Sequence, residues 1–167
     1  MAREAMIELN CISEQKDITL LLDILCNGGW KVYNNKGNIE YLPIGDDENF
    51  CWQEDKISYE KLKEIIVMKQ QKNELVGIHM FYEYTSYGIS LLARNTDKVI
   101  ISIDINRNAI DEKRESLTNF EWYFSKLIMI LYKDKSFMFS YKFEDYVDWV
   151  YEYHLYLKED IYSICIR

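Results

Sequence analysis

Residues 99–105 read VIISIDI, with apolar side chains at every second position. Residues 75–84 (LVGIHMFYEY) show the same alternation, and residues 88–94 (GISLLAR) form another apolar run between these two. A period of two places alternate side chains on opposite faces of a strand. Turn-favouring residues at 95–98 separate the last two runs. The three runs therefore predict an antiparallel meander with one buried face.

Apolar residues recur at helical spacing in residues 14–27, 58–72 and 118–133. Ser58 is placed as an N-cap, and Thr118-Asn119-Phe120-Glu121 is a capping box. The other predicted elements are strands at 5–12, 137–143 and 161–166, a hairpin in which residues 30–33 and 38–42 flank the turn at 34–37, an exposed connection at 107–116 and an aromatic helix at 145–157. Together they predict one α+β domain over residues 1–167, with a mainly antiparallel central sheet of about five to seven strands and three or four flanking helices.

Length and composition indicate a chain that can build a hydrophobic core. Hydrophobic residues make up 49% of the 167 residues and charged residues 29%, as in folded globular domains. The longest apolar runs are too short to span a bilayer. The four cysteines lack the close spacing of a zinc site or a disulfide framework. We therefore expect a cytoplasmic protein with reduced cysteines, no metal or other cofactor, and no membrane contact.

The sequence contains no recognisable catalytic motif. The six glycines form no phosphate-binding loop, and no nucleophile motif is present. His79 and Glu83 share strand parity, but four residues of strand separate them by roughly 13 Å. Neither Asp104, on a neighbouring predicted strand, nor His154, among C-terminal aromatics, has a defined partner. The sequence therefore predicts that the protein is not an enzyme.

The net charge of −8 is concentrated at the two ends of the chain. Residues 1–57 hold eleven acids against five bases, residues 144–167 hold six against two, and residues 58–143 are nearly neutral. Such a field repels nucleic acid and attracts a basic partner, although solubility alone also explains it. Glutamates dilute the lysines of the helix at 58–72, which indicates a solvated face. These lysines are Lys61, Lys63, Lys69 and Lys72.

One stretch combines acids and aromatics without a basic residue. Between Lys36 and Lys56 there are six acids and no base. At protein interfaces, aromatic side chains supply desolvated contact area and carboxylates supply steering and ion pairs. The alternative is a surface loop whose aromatics fold back into the core. The candidate partner-binding residues are Glu40, Tyr41, Asp46, Asp47, Glu48, Phe50, Trp52, Glu54 and Asp55.

A second acidic and aromatic cluster lies on the helix predicted at 145–157 and just before it. Its acids fall at helical spacing opposite its aromatics, which favours an ordinary solvated helix. The cluster comprises Glu144, Asp145, Tyr146, Asp148, Trp149, Glu152 and Tyr153.

A small, acidic α+β chain rich in tyrosine and tryptophan, without catalytic residues, resembles the immunity proteins of bacterial polymorphic-toxin and contact-dependent growth inhibition systems. The resemblance rests on fourteen Tyr, four Trp and the net charge of −8. It implies tight, stoichiometric binding to one toxin, often a basic nuclease, by covering the active site or a neighbouring surface. It assigns no role to any single residue. The alternatives are an acidic inhibitor that mimics nucleic acid and a small intracellular enzyme of another type.

Overall fold

The structure, a computed structural model, describes residues 2–11, 16–83, 88–106, 123–134, 139–145 and 149–153. The strands are β1 (Ala2–Cys11), β2 (Trp30–Lys31), β3 (Ile39–Tyr41), β4 (Gln53–Asp55), β5 (Val76–Tyr82), β6 (Gly88–Ala93), β7 (Val99–Asn106), β8 (Phe139–Asp145) and β9 (Trp149–Tyr153). The helices are α1 (Ile18–Asn27), α2 (Tyr59–Gln71) and α3 (Met129–Lys133), the last preceded by a π-helical segment, Phe124–Ile128.

The nine described strands form one sheet, and every pair of neighbours is antiparallel. Their order is β4-β3-β5-β6-β7-β1-β8-β9, and β2 also pairs with β5. The predicted α+β class with a mainly antiparallel sheet is confirmed. The sheet has more strands than the sequence indicates. β4 is only three residues long, and such a short strand carries no periodic signal. β9 lies where a helix was predicted.

The predicted meander forms the centre of this sheet. β5, β6 and β7 pair in sequence, with Ile78 opposite Leu91 and Leu91 opposite Ile101. These three side chains are fully buried on the inner face, in one core cluster with the apolar residues of the helices. His79 and Ser90, one register position along, lie on the outer face. The alternation of the sequence therefore decides which side chains reach each face.

Side-chain caps begin both long helices, as expected from the need to satisfy the first backbone N–H groups. Asp17 accepts a hydrogen bond from the Thr19 N–H at 2.9 Å. Helix α1 therefore begins at Ile18, four residues later than predicted. Ser58 caps α2 as predicted, accepting from the Lys61 N–H at 3.1 Å.

The helix predicted at 145–157 is wrong over the part that the structure describes. β8 extends to Asp145, and β9 returns antiparallel to it with Tyr151 opposite Phe143. Aromatic and β-branched residues, here Trp149, Val150 and Tyr151, favour strands, and pairing with β8 outweighs the helical spacing of the acids. The described part of the second acidic cluster therefore lies in two strands; Tyr146 and Asp148 fall outside the described residues.

Several other predictions fall on residues that the structure does not describe: the connection at 107–116, the capping box at 118–121 and the strand at 161–166. The helix predicted at 118–133 is present over residues 123–133, where Leu127, Ile128 and Leu131 are buried. Its π-helical beginning was not predicted. Within the described ranges, no helix is both long and apolar enough to cross a membrane.

Candidate functional site

The acidic loop, defined as residues 43–52, connects β3 to β4 and is held by a buried lysine from α2. The Nζ atom of Lys69 donates hydrogen bonds to the carbonyl oxygens of Pro43 and Asp46, both at 2.6 Å, and lies 3.7 Å from the Glu74 carboxylate. Burial lowers the pKa of Lys69, and the negative charge of Glu74 acts in the opposite direction. The prediction that Lys69 belongs to a solvated helix face is wrong, because its side chain is only 1% exposed.

Asp46 organises the same loop from within. It is 6% exposed, and its carboxylate accepts hydrogen bonds from the backbone N–H groups of Asn49, Phe50 and Cys51 at 3.0, 3.2 and 2.7 Å. Three backbone donors on one carboxylate fix the turn that they belong to. Asp46 was a candidate contact residue, and its burial gives it a supporting role instead.

Phe50 is presented to solvent in an unfavourable backbone conformation. It is 48% exposed and has a φ of 54°. A positive φ is uncommon for a bulky residue and costs of order 1–3 kcal/mol. Because the Asp46 carboxylate binds the N–H of Phe50 and of both its neighbours, the loop compensates this cost. The aromatic ring is therefore attached to a fixed backbone.

Arg94, which follows β6, neutralises part of the acidic loop. Its Nη1 forms an ion pair with Asp47, and its Nη2 lies 3.0 Å from the Glu48 carboxylate. The Arg94 hydrogen bond holds the pKa of Asp47 below its usual range, with help from the Leu75 backbone N–H at 2.8 Å. The Glu48 side chain is still 73% exposed. Exposed ion pairs contribute little stability, so the contact with Arg94 holds the Glu48 side chain only weakly.

Two glutamates face each other across β3 and β4. Glu40 pairs with Glu54 in the strand register, an arrangement that is unfavourable for like charges. Asn34 donates to Glu40 at 3.2 Å, and Asn38 donates to Glu54 at 2.7 Å. The Asn38 hydrogen bond lowers the pKa of Glu54. The predicted turn at 34–37 and the residue that follows it thus supply an amide donor to each carboxylate.

Tyr41 supports the end of β4. Its ring is buried, and its hydroxyl donates a hydrogen bond to the Asp55 carboxylate at 2.7 Å. Burial, together with this hydrogen bond to an anion, raises the pKa of Tyr41 to about 12. Tyr41 therefore orients the exposed Asp55 carboxylate and does not itself offer contact area.

Trp52 folds back onto the outer face of the sheet. Its indole stacks on the His79 ring with centroids 4.0 Å apart and an angle of 20° between the planes. It also covers Gly77, where an added Cβ would lie 3.0 Å from the indole and 2.6 Å from Leu42. The sequence left open whether the aromatics of this stretch are exposed or folded back. Trp52 is folded back, whereas Phe50 is exposed.

His79 has a carboxylate partner that sequence reasoning missed. Its Nδ1 atom lies 3.3 Å from Glu40 Oε1, because β3 pairs with β5. Ser90 lies directly opposite His79 on β6, but no hydrogen bond joins these two side chains in the described structure. To act as a general base, His79 would need to lie within hydrogen-bond distance of the group that it deprotonates, either a side chain such as Ser90 or a bound substrate. Within the described ranges, no three His, Cys, Asp or Glu side chains are grouped to hold a metal ion.

The nine candidate residues therefore separate into two groups. The exposed group lies on the acidic loop and β4, and we call this surface the acidic edge. The supporting group is buried or half-buried and holds the acidic edge in place. The exposed residues are Glu48, Phe50, Glu54 and Asp55, and the supporting residues are Glu40, Tyr41, Asp46, Asp47 and Trp52. Comparisons of the chain with protein-family models, with curated proteins and with solved structures each found no match.

Proposed function

We propose that this protein is a non-enzymatic binding protein that neutralises a basic protein partner by docking it on the acidic edge. The observation that carries the proposal is Phe50, which is 48% exposed and has a φ of 54°. The resemblance to immunity proteins suggests a toxin domain, such as a basic nuclease, as the partner.

The geometry of the acidic loop supports an anchoring role for Phe50. An exposed aromatic residue gains nothing for the fold by adopting positive φ, yet Asp46 and Lys69 are both buried to hold the loop that contains it. Strained residues persist where the surroundings over-determine them, and they cluster at binding sites. A side chain on a fixed backbone also loses less conformational entropy when it docks. Phe50 thus has the properties of an aromatic anchor for a pocket on the partner.

The charges of the acidic edge determine the kind of partner that fits. Residues 37–55 contain no lysine or arginine, and the exposed carboxylates of Glu48, Glu54 and Asp55 lie on the acidic edge. Several negative charges on this surface would attract an approaching basic protein, which raises its association rate at low salt. Dissociation would be governed by how well Phe50 is enclosed.

The test separates these two contributions. The partner is captured with the tagged wild-type protein from cells that encode the chain, purified, and its binding kinetics are measured. Glu48→Lys with Glu54→Lys should slow association about tenfold at low salt. Glu60→Lys with Glu64→Lys is the matched control, since these α2 residues are also exposed and the net charge changes equally. Equal slowing by both pairs would reject the acidic edge as the docking surface.

Phe50→Gly tests the anchor independently of charge. Glycine adopts positive φ without steric cost, so relief of strain should offset the lost contacts and keep stability within about 1 kcal/mol of wild type. Dissociation from the partner should nevertheless become at least tenfold faster. Unchanged dissociation would show that Phe50 is not an anchor.

A further inference from the structure

A cleft lies at the opposite end of β5 from the acidic loop, where the C-terminal ends of α1 and α3 meet. Its volume of about 470 Å³ is in the range of small-molecule sites. Its walls come from α1, from the last residue of β5 and from the helical residues that precede and form α3. The side chains that matter here are Ile24, Asn27, Tyr82, Lys126, Ile130 and Lys133.

Two residues of the cleft lining, Ser125 and Lys126, belong to the π-helical segment Phe124–Ile128. Short π-helical turns are rare and frequently occur at functional sites. A buried tryptophan holds this one: the Trp30 indole N–H donates to the Lys126 carbonyl at 2.6 Å, and Trp30 is 2% exposed. The Trp30 ring also packs edge-on against Tyr82, with centroids 5.3 Å apart. Buried Trp30 therefore fixes the positions of the Lys126 backbone and the Tyr82 ring, and both residues line the cleft.

The cleft is basic although the chain carries a net charge of −8. The Lys126 ammonium lies 5.1 Å from the centre of the Tyr82 ring, a cation–π contact that keeps it at the cleft. Lys133 lines the cleft as well, and it makes no ion pair within the described part of the chain. Against these two cations the lining contains one acid, Asp134.

The C-terminal end of α1 only partly offsets this positive charge. A helix C-terminus carries a partial negative charge on its free carbonyl groups. At the end of α1, however, Gly28 N–H binds the carbonyls of Ile24 and Leu25, and Gly29 N–H binds that of Cys26. These contacts satisfy three carbonyls at the end of α1, which leaves the two lysine ammonium groups and the Asp134 carboxylate as the charged groups of the cleft lining.

From this arrangement we propose that the cleft binds a small organic anion with a flat apolar body. The anionic group lies between the ammonium groups of Lys126 and Lys133, and the apolar body packs against Ile24, Ile130 and the edge of Tyr82. This site is separate from the acidic edge and does not depend on the proposed function.

The experiment follows backbone amide signals by NMR while three probes are added. The probes are 1-naphthalenesulfonate, the neutral 1-naphthol and inorganic sulfate. Naphthalenesulfonate should shift the signals of Asn27, Gly28 and residues 125–134 at millimolar concentration or below, and each other probe should bind more weakly. A charge-assisted hydrogen bond corresponds to roughly ten- to a hundredfold in affinity, so Lys126→Gln with Lys133→Gln should weaken binding at least tenfold.

Two further variants keep the outcome interpretable. Lys36→Gln with Lys61→Gln changes the net charge equally at exposed positions outside the cleft lining, and it should leave binding unchanged. Asn27→Trp places a large side chain at the cleft without touching the core, since Asn27 is exposed, and it should block binding. No shift at the cleft, equal binding of 1-naphthol, or equal weakening by both lysine pairs would each overturn the proposal. Each variant's amide spectrum reports whether it is folded.

Discussion

Replacing Lys69 with methionine is a demanding test of how the acidic loop is held. Methionine follows the course of the lysine side chain as far as Cε, so the substitution removes the ammonium group and little else. In the wild type that group satisfies the carbonyls of Pro43 and Asp46 and lies beside the Glu74 carboxylate. Glu74 keeps one partner, the Gly45 backbone N–H at 2.9 Å. The substitution therefore leaves two carbonyls and one carboxylate with fewer partners.

The magnitude follows from two opposing effects. Removing one member of a buried pair costs about 3–5 kcal/mol, because the remaining charge is left uncompensated. The desolvation of the ammonium, which lowers the Lys69 pKa in the folded protein, is no longer required and offsets part of this loss. Since Glu74 retains Gly45 N–H and can turn toward water, we expect a net loss near the lower limit, about 3 kcal/mol.

Urea unfolding monitored by tryptophan fluorescence measures this loss. The midpoint should fall with an unchanged dependence on urea concentration, since the fold exposes the same surface when it unfolds. Hydrogen exchange should also become faster at the amides of Asn49, Phe50 and Cys51. Lys72→Met, at the exposed C-cap of the same helix, is the control and should cost less than about 0.5 kcal/mol. A Lys69→Met variant as stable as the control would refute the reasoning.

Two other substitutions probe the supporting residues. Tyr41→Phe loses the hydrogen bond to Asp55 and should be less stable than wild type by about 1 kcal/mol at neutral pH. The pKa of Tyr41 is raised to about 12 in the folded protein, while an unfolded tyrosine titrates near pH 10. The greater stability of the wild type should therefore be complete below about pH 10 and lost toward pH 12. Chemical unfolding of both proteins at pH 7 to 12 measures this difference in stability, and a difference that stays constant would contradict the assigned hydrogen bond to Asp55. Gly77→Ala should displace Trp52, lower stability by about 1–3 kcal/mol and change the fluorescence of the folded state; an unaltered spectrum and stability would show that Trp52 does not cover Gly77.

Much of the fold could be predicted because its signals are local. The alternation in residues 75–105 identifies three strands and the face that each residue occupies, and Ser58 marks the start of a helix by its chemistry alone. The helix predicted at 145–157 is wrong over its described part for a related reason. Its acids satisfy a helical period, whereas the strand propensity of Trp149 and Val150 becomes decisive only when β8 is available for pairing.

The candidate site was predictable as a region and not as a set of contacts. Lys69 binds Pro43 across 26 positions of sequence, His79 meets Glu40 across 39, and Arg94 meets Asp47 across 47. No periodic pattern encodes such pairs, since they depend on how β3, α2 and β6 are arranged.

Charge counting has a second limit, which Asp46 illustrates. A count treats each carboxylate as an exposed charge, whereas the Asp46 carboxylate is buried and accepts hydrogen bonds from three backbone N–H groups. The sequence offered one signal for this role: Asp46 lies at the start of a polar loop, and aspartate side chains often accept hydrogen bonds from backbone N–H groups of the residues that follow. That signal does not distinguish a buried carboxylate from an exposed one.

The most direct test of the central claim is the dissociation constant of the complex between this protein and the partner it captures, measured for wild type, Phe50→Gly and Val67→Gln. Val67 is a suitable control because it is an exposed apolar residue, 40% accessible, on α2. We predict a one-to-one complex whose dissociation constant rises at least tenfold, a change of about 1.4 kcal/mol or more, for Phe50→Gly. Val67→Gln should bind as wild type does. Equal binding by all three proteins, or failure to retain any basic protein, would contradict the account.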